Sequence, residues 1–330
     1  MKLSALRTVA AATIVASLAV PAFAQGKPGQ LGEDRTLIAA DSWPIKITYF
    51  ESTGGKEAPV VILLPAAEGE NSMTRKVWNS MAASLNKRGY AVVTADLRKH
   101  GDSADPNDRR GGRLSPNDYA LMASLDMEAI KTFLVEEHQK QKLNIRKLGI
   151  AAAGSSCMVA SAFTVLDWSK KPWPDAPVFD LRTPKGQDVR ALLMLSPKSN
   201  VKGINSTDVM KFIADPYKGI AVQIYYDKSD RAEKSSAEKL YGFLELKTRG
   251  GQTEPKPSDE EGTDQSVGID FSDARQLRDR PAGKEFAAEG LLAAKDASGK
   301  IPMEQYAAEF FDKYVNGRSD TWKTRTSKLE

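Results

Sequence analysis

The chain has 330 residues, with 47 lysines and arginines against 43 aspartates and glutamates, and both signs are interspersed along it. Charge spread in this way gives no indication of a nucleic-acid-binding or anionic-membrane surface. One cysteine excludes an internal disulfide, and two histidines with one cysteine exclude an ordinary structural zinc site.

The first 24 residues are typical of an export signal. A basic start precedes an apolar stretch from Val9 to Val20, and Ala22-Phe23-Ala24 forms a small-x-small cleavage site before Gln25. About a dozen apolar residues are too few to span a bilayer, which needs roughly 20. We therefore expect a signal peptide cleaved after Ala24 and an exported protein, periplasmic or secreted, with a retained signal anchor as the alternative.

Residues 25–35 are predicted to be a polar leader, and residues 36–330 a single domain of ample core. Alternating polarity over Thr36–Ala40 and Ile45–Phe50 predicts an opening hairpin. The continuous apolar run Pro59–Leu64 then predicts a strand covered on both faces.

The next elements alternate between helix and strand. A helical pattern after the loop 65–72 ends at Gly89, and Tyr90–Asp96 predicts another buried strand. Ser115-Pro116 then opens a long helix, with serine as the cap and proline in the first turn.

Residues 146–160 predict a strand, a sharp turn and a helix. Apolar Leu148–Ala153 meets a cluster of very small residues, and a helical pattern continues to Trp168. Later apolar runs at Ala191–Leu195 and Ile220–Tyr226 predict two more strands, and further helical patterns follow. Strands alternating with helices favour an α/β fold with a mostly parallel twisted sheet and helices on both faces.

Two kinds of segment interrupt this alternation. Residues 250–264 are polar and rich in Pro, Glu and Gly, which predicts a flexible insertion. The segments 168–189 and 197–219 are candidates for a small cap.

Four motifs, taken in order, resemble the α/β-hydrolase superfamily: APVVILLPAAEG, GYAVVTADLRKHGDS, LGIAAAGSSCMVA and IAVQIYYDKSD. The resemblance covers roughly residues 40–246 and is closest to the serine aminopeptidase and lysophospholipase-like branch. It implies a twisted eight-stranded sheet with a nucleophile elbow at its centre. It also implies a serine nucleophile in that elbow and a histidine base late in the chain.

The ungapped register places Ala152, Gly154 and Ser156 on the three key positions of the elbow. The apex is then Gly154, which has no side chain to attack with. Both histidines, His100 and His138, precede the elbow, so no histidine lies where the family places its base. We therefore interpret the catalytic positions as degenerate.

Ser155 is the alternative nucleophile. It requires the elbow to slip by one residue, to Ala153-x-Ser155-x-Cys157, and a base other than the usual histidine. Cys157 itself lies on the first turn of the helix, where we expect it to pack against the sheet; the functional alternative is a thiol nucleophile.

The resemblance also indicates candidates for an oxyanion hole and for a triad acid. Backbone amides of Ala66, Ala67 and Ser155 are the oxyanion-type donors, and we expect Glu68 to face solvent. Asp230 has the spacing of the triad acid. Without a histidine to orient, we expect it to cap the helix that begins near Glu233.

Asp227 is a weaker candidate for the same acid. The KHGDS turn resembles a family signature whose histidine is structural, so we expect His100 to hold its loop. His138 lies in the polar stretch EEHQKQK, which predicts a solvated surface residue.

The sequence therefore predicts an exported, catalytically inactive hydrolase-like protein with a residual pocket or surface for a small ligand or a protein partner. The alternatives are a serine hydrolase of esters or amides acting through Ser155, and a purely structural or interaction protein. We expect no cofactor, no metal, no nucleic-acid partner and no membrane span.

Overall fold

The computed structural model of the protein describes residues 32–68, 74–104, 114–248, 274–279, 292 and 295–329. The predicted signal peptide, most of the polar leader and the predicted insertion at 250–264 lie outside these residues. No helix among them is both long and apolar enough to cross a membrane.

Eight strands form one sheet in the order β1-β2-β4-β3-β5-β6-β7-β8. Strand β2 alone runs opposite to the other seven, so the predicted mostly parallel sheet is confirmed. The strands are β1 (Glu33–Ile38), β2 (Pro44–Phe50), β3 (Val60–Leu64), β4 (Ala91–Asp96), β5 (Leu148–Ala153), β6 (Val189–Leu195), β7 (Ala221–Tyr226) and β8 (Arg275–Asp279).

Seven α-helices in the described residues cover this sheet, and a π-helical segment at Met122–Asp126 joins the second and third. The helices are α1 (Asn79–Lys87), α2 (Pro116–Leu121), α3 (Met127–Gln139), α4 (Ser156–Trp168), α5 (Ser206–Ile213), α6 (Arg231–Thr248) and α7 (Pro302–Phe311).

The helices form a layer on each face of the sheet. Buried residues of α3, α4, α5 and α6 pack against one face, and those of α1 and α7 pack against the other. Strands β3, β4 and β6 are buried along their whole length, which is why their sequences are largely apolar rather than alternating. The fold class expected from the sequence is therefore confirmed.

The first strand begins earlier than the sequence pattern predicts. It spans Glu33–Ile38 instead of Thr36–Ala40, and it pairs with β2 along its length. The Arg35 guanidinium lies 5.6 Å from the ring centre of Tyr49 and 5.2 Å from that of Phe133. These cation–π contacts stabilise a charged residue within the strand. A pattern of alternating apolar and polar residues does not indicate such a contact, so the sequence provided no sign that the strand begins here.

The C-terminal residues 317–329 have little regular secondary structure but are anchored in the fold. The buried Arg325 guanidinium makes an ion pair with Asp188 and donates to the carbonyl of Pro184 at 2.8 Å. Asp188 also pairs with the buried ammonium of Lys131 at 2.7 Å, and Lys131 pairs with Asp167. A buried network of two cations and two carboxylates thus joins α3, α4 and the C-terminal segment.

The prediction that His138 is a solvated surface residue is wrong. His138 is fully buried, and the indole of Trp322 stacks on it with ring centres 4.9 Å apart. The backbone N–H of Ile145 donates to its Nδ1 at 3.2 Å, and its Nε2 donates to the carbonyl of Lys323 at 2.8 Å. The polar local sequence could not reveal this burial, because the covering segment lies some 180 residues later in the chain.

Burial lowers the pKa of the His138 imidazole, and likewise that of buried His100. The unfolded chain therefore takes up protons on these residues at a higher pH than the folded chain does. It follows that the free energy of unfolding falls as the pH drops below about 6.5, by at most about 1.4 kcal/mol per pH unit for each such group.

We expect His138→Gln to reduce this pH dependence, measured as urea midpoints between pH 7.5 and 5. The exposed Lys87→Gln, which removes no group that titrates in this range, should retain the wild-type dependence. An unchanged dependence in His138→Gln would contradict a folded state that holds this imidazole neutral.

Candidate functional site

The elbow, residues 152–156, lies at the carboxyl end of β5, in the middle of the sheet. Gly154 has a φ of +54°, in the left-handed region that glycine adopts at little cost. Its N–H donates to the carbonyl of Leu195 at the end of β6, 3.0 Å away. Gly154 is therefore the turn residue between β5 and α4, and Ser155 follows it with an ordinary φ of −68°.

The space above Gly154 is filled by the loop that follows β3. A Cβ added to Gly154 would lie 2.4 Å from Glu68 Oε1 and 3.0 Å from the Cβ of Ala66. The first of these atoms ends a flexible side chain and can move, whereas the second is fixed to the backbone. The apex therefore has neither the conformation nor the room for a side chain.

The hydroxyls of Ser155 and Ser156 serve as donors to that same loop. Ser155 Oγ donates to the carbonyl of Ala67 at 2.6 Å, and Ser156 Oγ donates to the carbonyl of Pro65 at 2.6 Å. Both serines are buried. Neither hydroxyl donates to a base, so the hydrogen bonds fasten the loop after β3 to the start of α4.

Glu68 is an exposed residue, as expected, but its carboxylate also contacts the elbow. Its Oε1 accepts the backbone N–H of Ser155 at 3.0 Å, and its Oε2 makes an ion pair with Lys198. The backbone N–H of Lys198 in turn donates to the carbonyl of Gly154 at 3.2 Å. The physical reason is that the elbow supplies an unpaired amide and the loop after β6 supplies a cation, and a carboxylate satisfies both.

This carboxylate changes what the site can stabilise. The amide of Ser155 is the position at which a hydrolase of this kind binds the developing oxyanion. Here that amide already donates to an anion, and a second negative charge beside it would be repelled. The other two oxyanion-type candidates, Ala66 and Ala67, lie against the elbow, and the Ala67 carbonyl also accepts the hydroxyl of Tyr119 at 3.0 Å.

Asp230 lies at the start of α6. Its Oδ1 accepts the backbone N–H groups of Ala232 at 2.8 Å and of Glu233 at 3.0 Å, as a helix cap does. Asp227 accepts the N–H and the hydroxyl of Ser229 in the preceding turn. Among the described hydrogen bonds, neither carboxylate contacts the elbow, so the structure does not bring the candidate acid and Ser155 together.

His100 and Cys157 are both buried, and neither is placed to act as a catalytic group. His100 Nδ1 is 2.8 Å from the carbonyl of Arg98, whose guanidinium pairs with Asp126, so the imidazole belongs to the loop after β4. Burial raises the pKa of the Cys157 thiol to about 12, and its Sγ lies 3.2 Å from the carbonyl of Ala152. A thiol with this pKa is not a nucleophile at neutral pH.

No group of three or more His, Cys, Asp or Glu side chains that could hold a metal ion occurs within the described part of the chain. The contacts at the elbow are those of a folded turn. The Ser155 amide and the hydroxyls of Ser155 and Ser156 all donate to the loop after β3. Sequence reasoning missed two members of this arrangement, Tyr119 and Lys198. No motif marks them, because each is placed by its neighbouring strand or helix.

No protein-family model and no curated protein matches the chain. Among solved structures it is similar to a dienelactone hydrolase from Anabaena variabilis ATCC 29413, with a TM-score of 0.52 and 12% identity, over 87% of this chain and 100% of that one. It is also similar to esterase 2 from Thermogutta terrifontis, phosphoramylated by tabun, with a TM-score of 0.54 and 10% identity, over 89% of this chain and 98% of that one.

The chain has the α/β-hydrolase fold. The strand order, the turn between β5 and α4 and these structural neighbours agree on it. A putative dienelactone hydrolase from Klebsiella pneumoniae subsp. pneumoniae MGH 78578 is a further neighbour, with a TM-score of 0.51 and 11% identity, over 86% of this chain and 99% of that one. At such identities the likeness establishes the α/β-hydrolase fold and leaves the chemistry to be argued from this chain's own residues.

Gly154→Ser tests the crowding at the apex. We expect it to lower the free energy of unfolding by about 1–3 kcal/mol, because a side chain at positive φ is strained and must also displace Glu68. Urea denaturation gives the difference. The matched control is Gly242→Ala in the middle of α6, where an added Cβ meets no atom within 4 Å, and which should be neutral or stabilising.

If Gly154→Ser were as stable as the wild type, the close approach of the loop after β3 to the apex would be wrong. The substitution should not create ester turnover, since a new hydroxyl would still lack a base to remove its proton.

Proposed function

We propose that this protein is an exported, non-hydrolytic member of the α/β-hydrolase fold that binds a small ligand or a protein partner. The observation that carries the proposal is the hydrogen bond from the Ser155 amide to the Glu68 carboxylate. A donor needed for acyl transfer is occupied by the protein's own anion, which Lys198 holds in place. The export rests on the first 24 residues of the sequence.

Two further features support the absence of hydrolysis. The residue at the apex is glycine, and no histidine follows His138 in the sequence. Removal of a triad member typically lowers turnover by roughly 10⁴- to 10⁶-fold, and here the nucleophile and the base are both missing from their usual positions. The fold around these two positions is intact. This fits a protein selected to bind another molecule rather than to catalyse its hydrolysis.

We expect the purified protein to show no saturable hydrolysis of short-chain p-nitrophenyl esters and no labelling by a fluorophosphonate probe. Ser155→Ala should leave both results unchanged and should cost stability, because it removes the hydrogen bond to the Ala67 carbonyl, worth about 1 kcal/mol. Turnover that disappears in Ser155→Ala, from a preparation free of contaminating hydrolase, would contradict the proposal.

The second candidate function is a serine hydrolase acting through Ser155. What favours it is a cluster of polar groups at one place: Ser155 Oγ and the Tyr119 hydroxyl share the Ala67 carbonyl, and Lys198 lies close by. A lysine can replace histidine as base if it is neutral, and burial lowers the pKa of Lys198. Its ion pair with Glu68 acts in the opposite direction and stabilises the charged form.

Glu68→Ala separates the two candidates. It removes the carboxylate from the Ser155 amide and the counterion from Lys198, so both the oxyanion donor and the candidate base become available. We expect no fluorophosphonate adduct on Ser155 by mass spectrometry even then, since the apex remains glycine. An adduct in Glu68→Ala that is absent from the double variant with Ser155→Ala would favour the hydrolase.

A purely structural or interaction role is distinguished from ligand binding by a thermal-shift screen. A ligand that binds only the folded state at 100 times its dissociation constant adds about 2.7 kcal/mol of stability, which a melting curve detects. Failure of every class of small molecule to shift the midpoint would favour the interaction role.

A further inference from the structure

A groove in the described part of the chain lies at the amino ends of the strands, at the end of the sheet opposite the elbow. Residues just before β5 and β6 line it, together with the segment 170–187 and the C-terminal segment 323–328, and its volume is about 550 Å³. Six basic side chains lie around it: Arg146, Lys170, Arg182, Lys185, Lys323 and Lys328.

Among the side chains that the structure describes, no acidic one lines this groove. Two of its six cations are neutralised nearby, since Lys170 pairs with Glu128 and Arg146 pairs with Asp320. The other four form no ion pair with any carboxylate in the described part of the chain. The groove therefore concentrates positive charge in a protein whose overall charges nearly balance.

Three of these four cations are held by neutral groups. The Lys328 ammonium donates to the carbonyl of Leu181. The Lys185 ammonium lies 3.4 Å from the ring centre of Trp173, a close cation–π contact. Arg182 Nε donates to the carbonyl of Ala176 at 2.9 Å, which leaves the remaining guanidinium nitrogens to other acceptors. These contacts fix the positions of the cations but do not neutralise their charge.

Exposed apolar side chains accompany the charges. Phe179 and Leu181, which line the groove, have 62% and 61% of their surface exposed. Val178 precedes Phe179 in the chain, and Leu329 follows Lys328, whose ammonium donates to the Leu181 carbonyl. Both Val178 and Leu329 are also exposed. These four are the majority of the seven large apolar side chains exposed in the described residues, and such a concentration marks a binding surface.

The floor of the groove is preformed. Asp175 accepts the backbone N–H groups of Thr183 at 2.9 Å and of Lys328 at 3.0 Å, so it joins the two segments that make the walls. Arg325 ties the same C-terminal segment to the carbonyl of Pro184 and to the buried Asp188. A groove held by such contacts needs little reorganisation to accept a ligand.

We infer that this groove binds a small amphiphile, a single molecule with an anionic carboxylate, sulfonate or phosphate head and an apolar ring or chain. The head would accept hydrogen bonds from uncompensated lysines, and the apolar part would cover Phe179 and Leu181. The volume lies within the roughly 300–1,000 Å³ range of small-molecule sites. The inference rests on the proposed binding role and gives it a location distinct from the elbow.

The experiment measures binding of the fluorescent probe 1-anilinonaphthalene-8-sulfonate to the full chain, with competition by monomeric decyl phosphate or decyltrimethylammonium. We expect the probe to bind, decyl phosphate to displace it, and the cationic amphiphile not to. The double variant Lys185→Glu, Lys323→Glu should weaken binding by about tenfold or more, since it replaces two attractive charges by two repulsive ones.

The charge-matched control is Lys56→Glu, Lys239→Glu, two exposed lysines outside the groove, which should bind within about twofold of the wild type. Phe179→Ser should also weaken binding, whereas Ile38→Ser, at an equally exposed apolar residue on β1, should not.

Equal weakening in the charge-matched control, or equal competition by the cationic amphiphile, would overturn the inference. So would sedimentation with phosphatidylglycerol vesicles in the absence of any binding of monomers, since the site would then be a membrane surface. Ester turnover is measured separately, so hydrolysis by Ser155 would refute the non-hydrolytic proposal and leave the groove unaffected.

Discussion

The close contact between the loop after β3 and the turn after β5 determines the character of the whole site. Two serine hydroxyls and one amide of the elbow all find their acceptors in residues 65–68. Buried polar groups must be satisfied, and these three are satisfied within the fold. In an active enzyme of this fold, the amide at the position of Ser155 would remain available to the developing oxyanion.

The two ends of the sheet are therefore used differently. At the carboxyl end, charge is neutralised locally: the Glu68 carboxylate lies between an amide and an ammonium. At the amino end, four cations of the groove have no described carboxylate partner, and exposed apolar side chains lie beside them. The usual position of a site in this fold is the carboxyl end, so in this chain the binding role is proposed at the unusual end.

The sequence predicted the fold well because long apolar runs such as Pro59–Leu64 and Tyr90–Asp96 admit few alternatives to a buried strand. It also indicated Gly154 as the apex, since the ungapped register through the cluster of small residues places it there. It failed for the burial of His138 and for the contacts of the Glu68 carboxylate, and for a shared reason. Their surroundings come from residues distant in the chain, Lys323 for the imidazole and Lys198 for the carboxylate, and local polarity carries no information about such contacts. The basic groove was invisible for the same reason, because its cations come from segments that are far apart in the sequence.

Cys157 has a practical consequence of its own. It is the only thiol in the chain, it is fully buried on the first turn of α4, and its pKa is about 12. An alkylating reagent can reach it only when the β5–α4 unit opens, so the rate of modification reports how often that unit opens in the native protein. The chain therefore contains an intrinsic probe of local opening directly beneath the elbow, one that needs no engineered label.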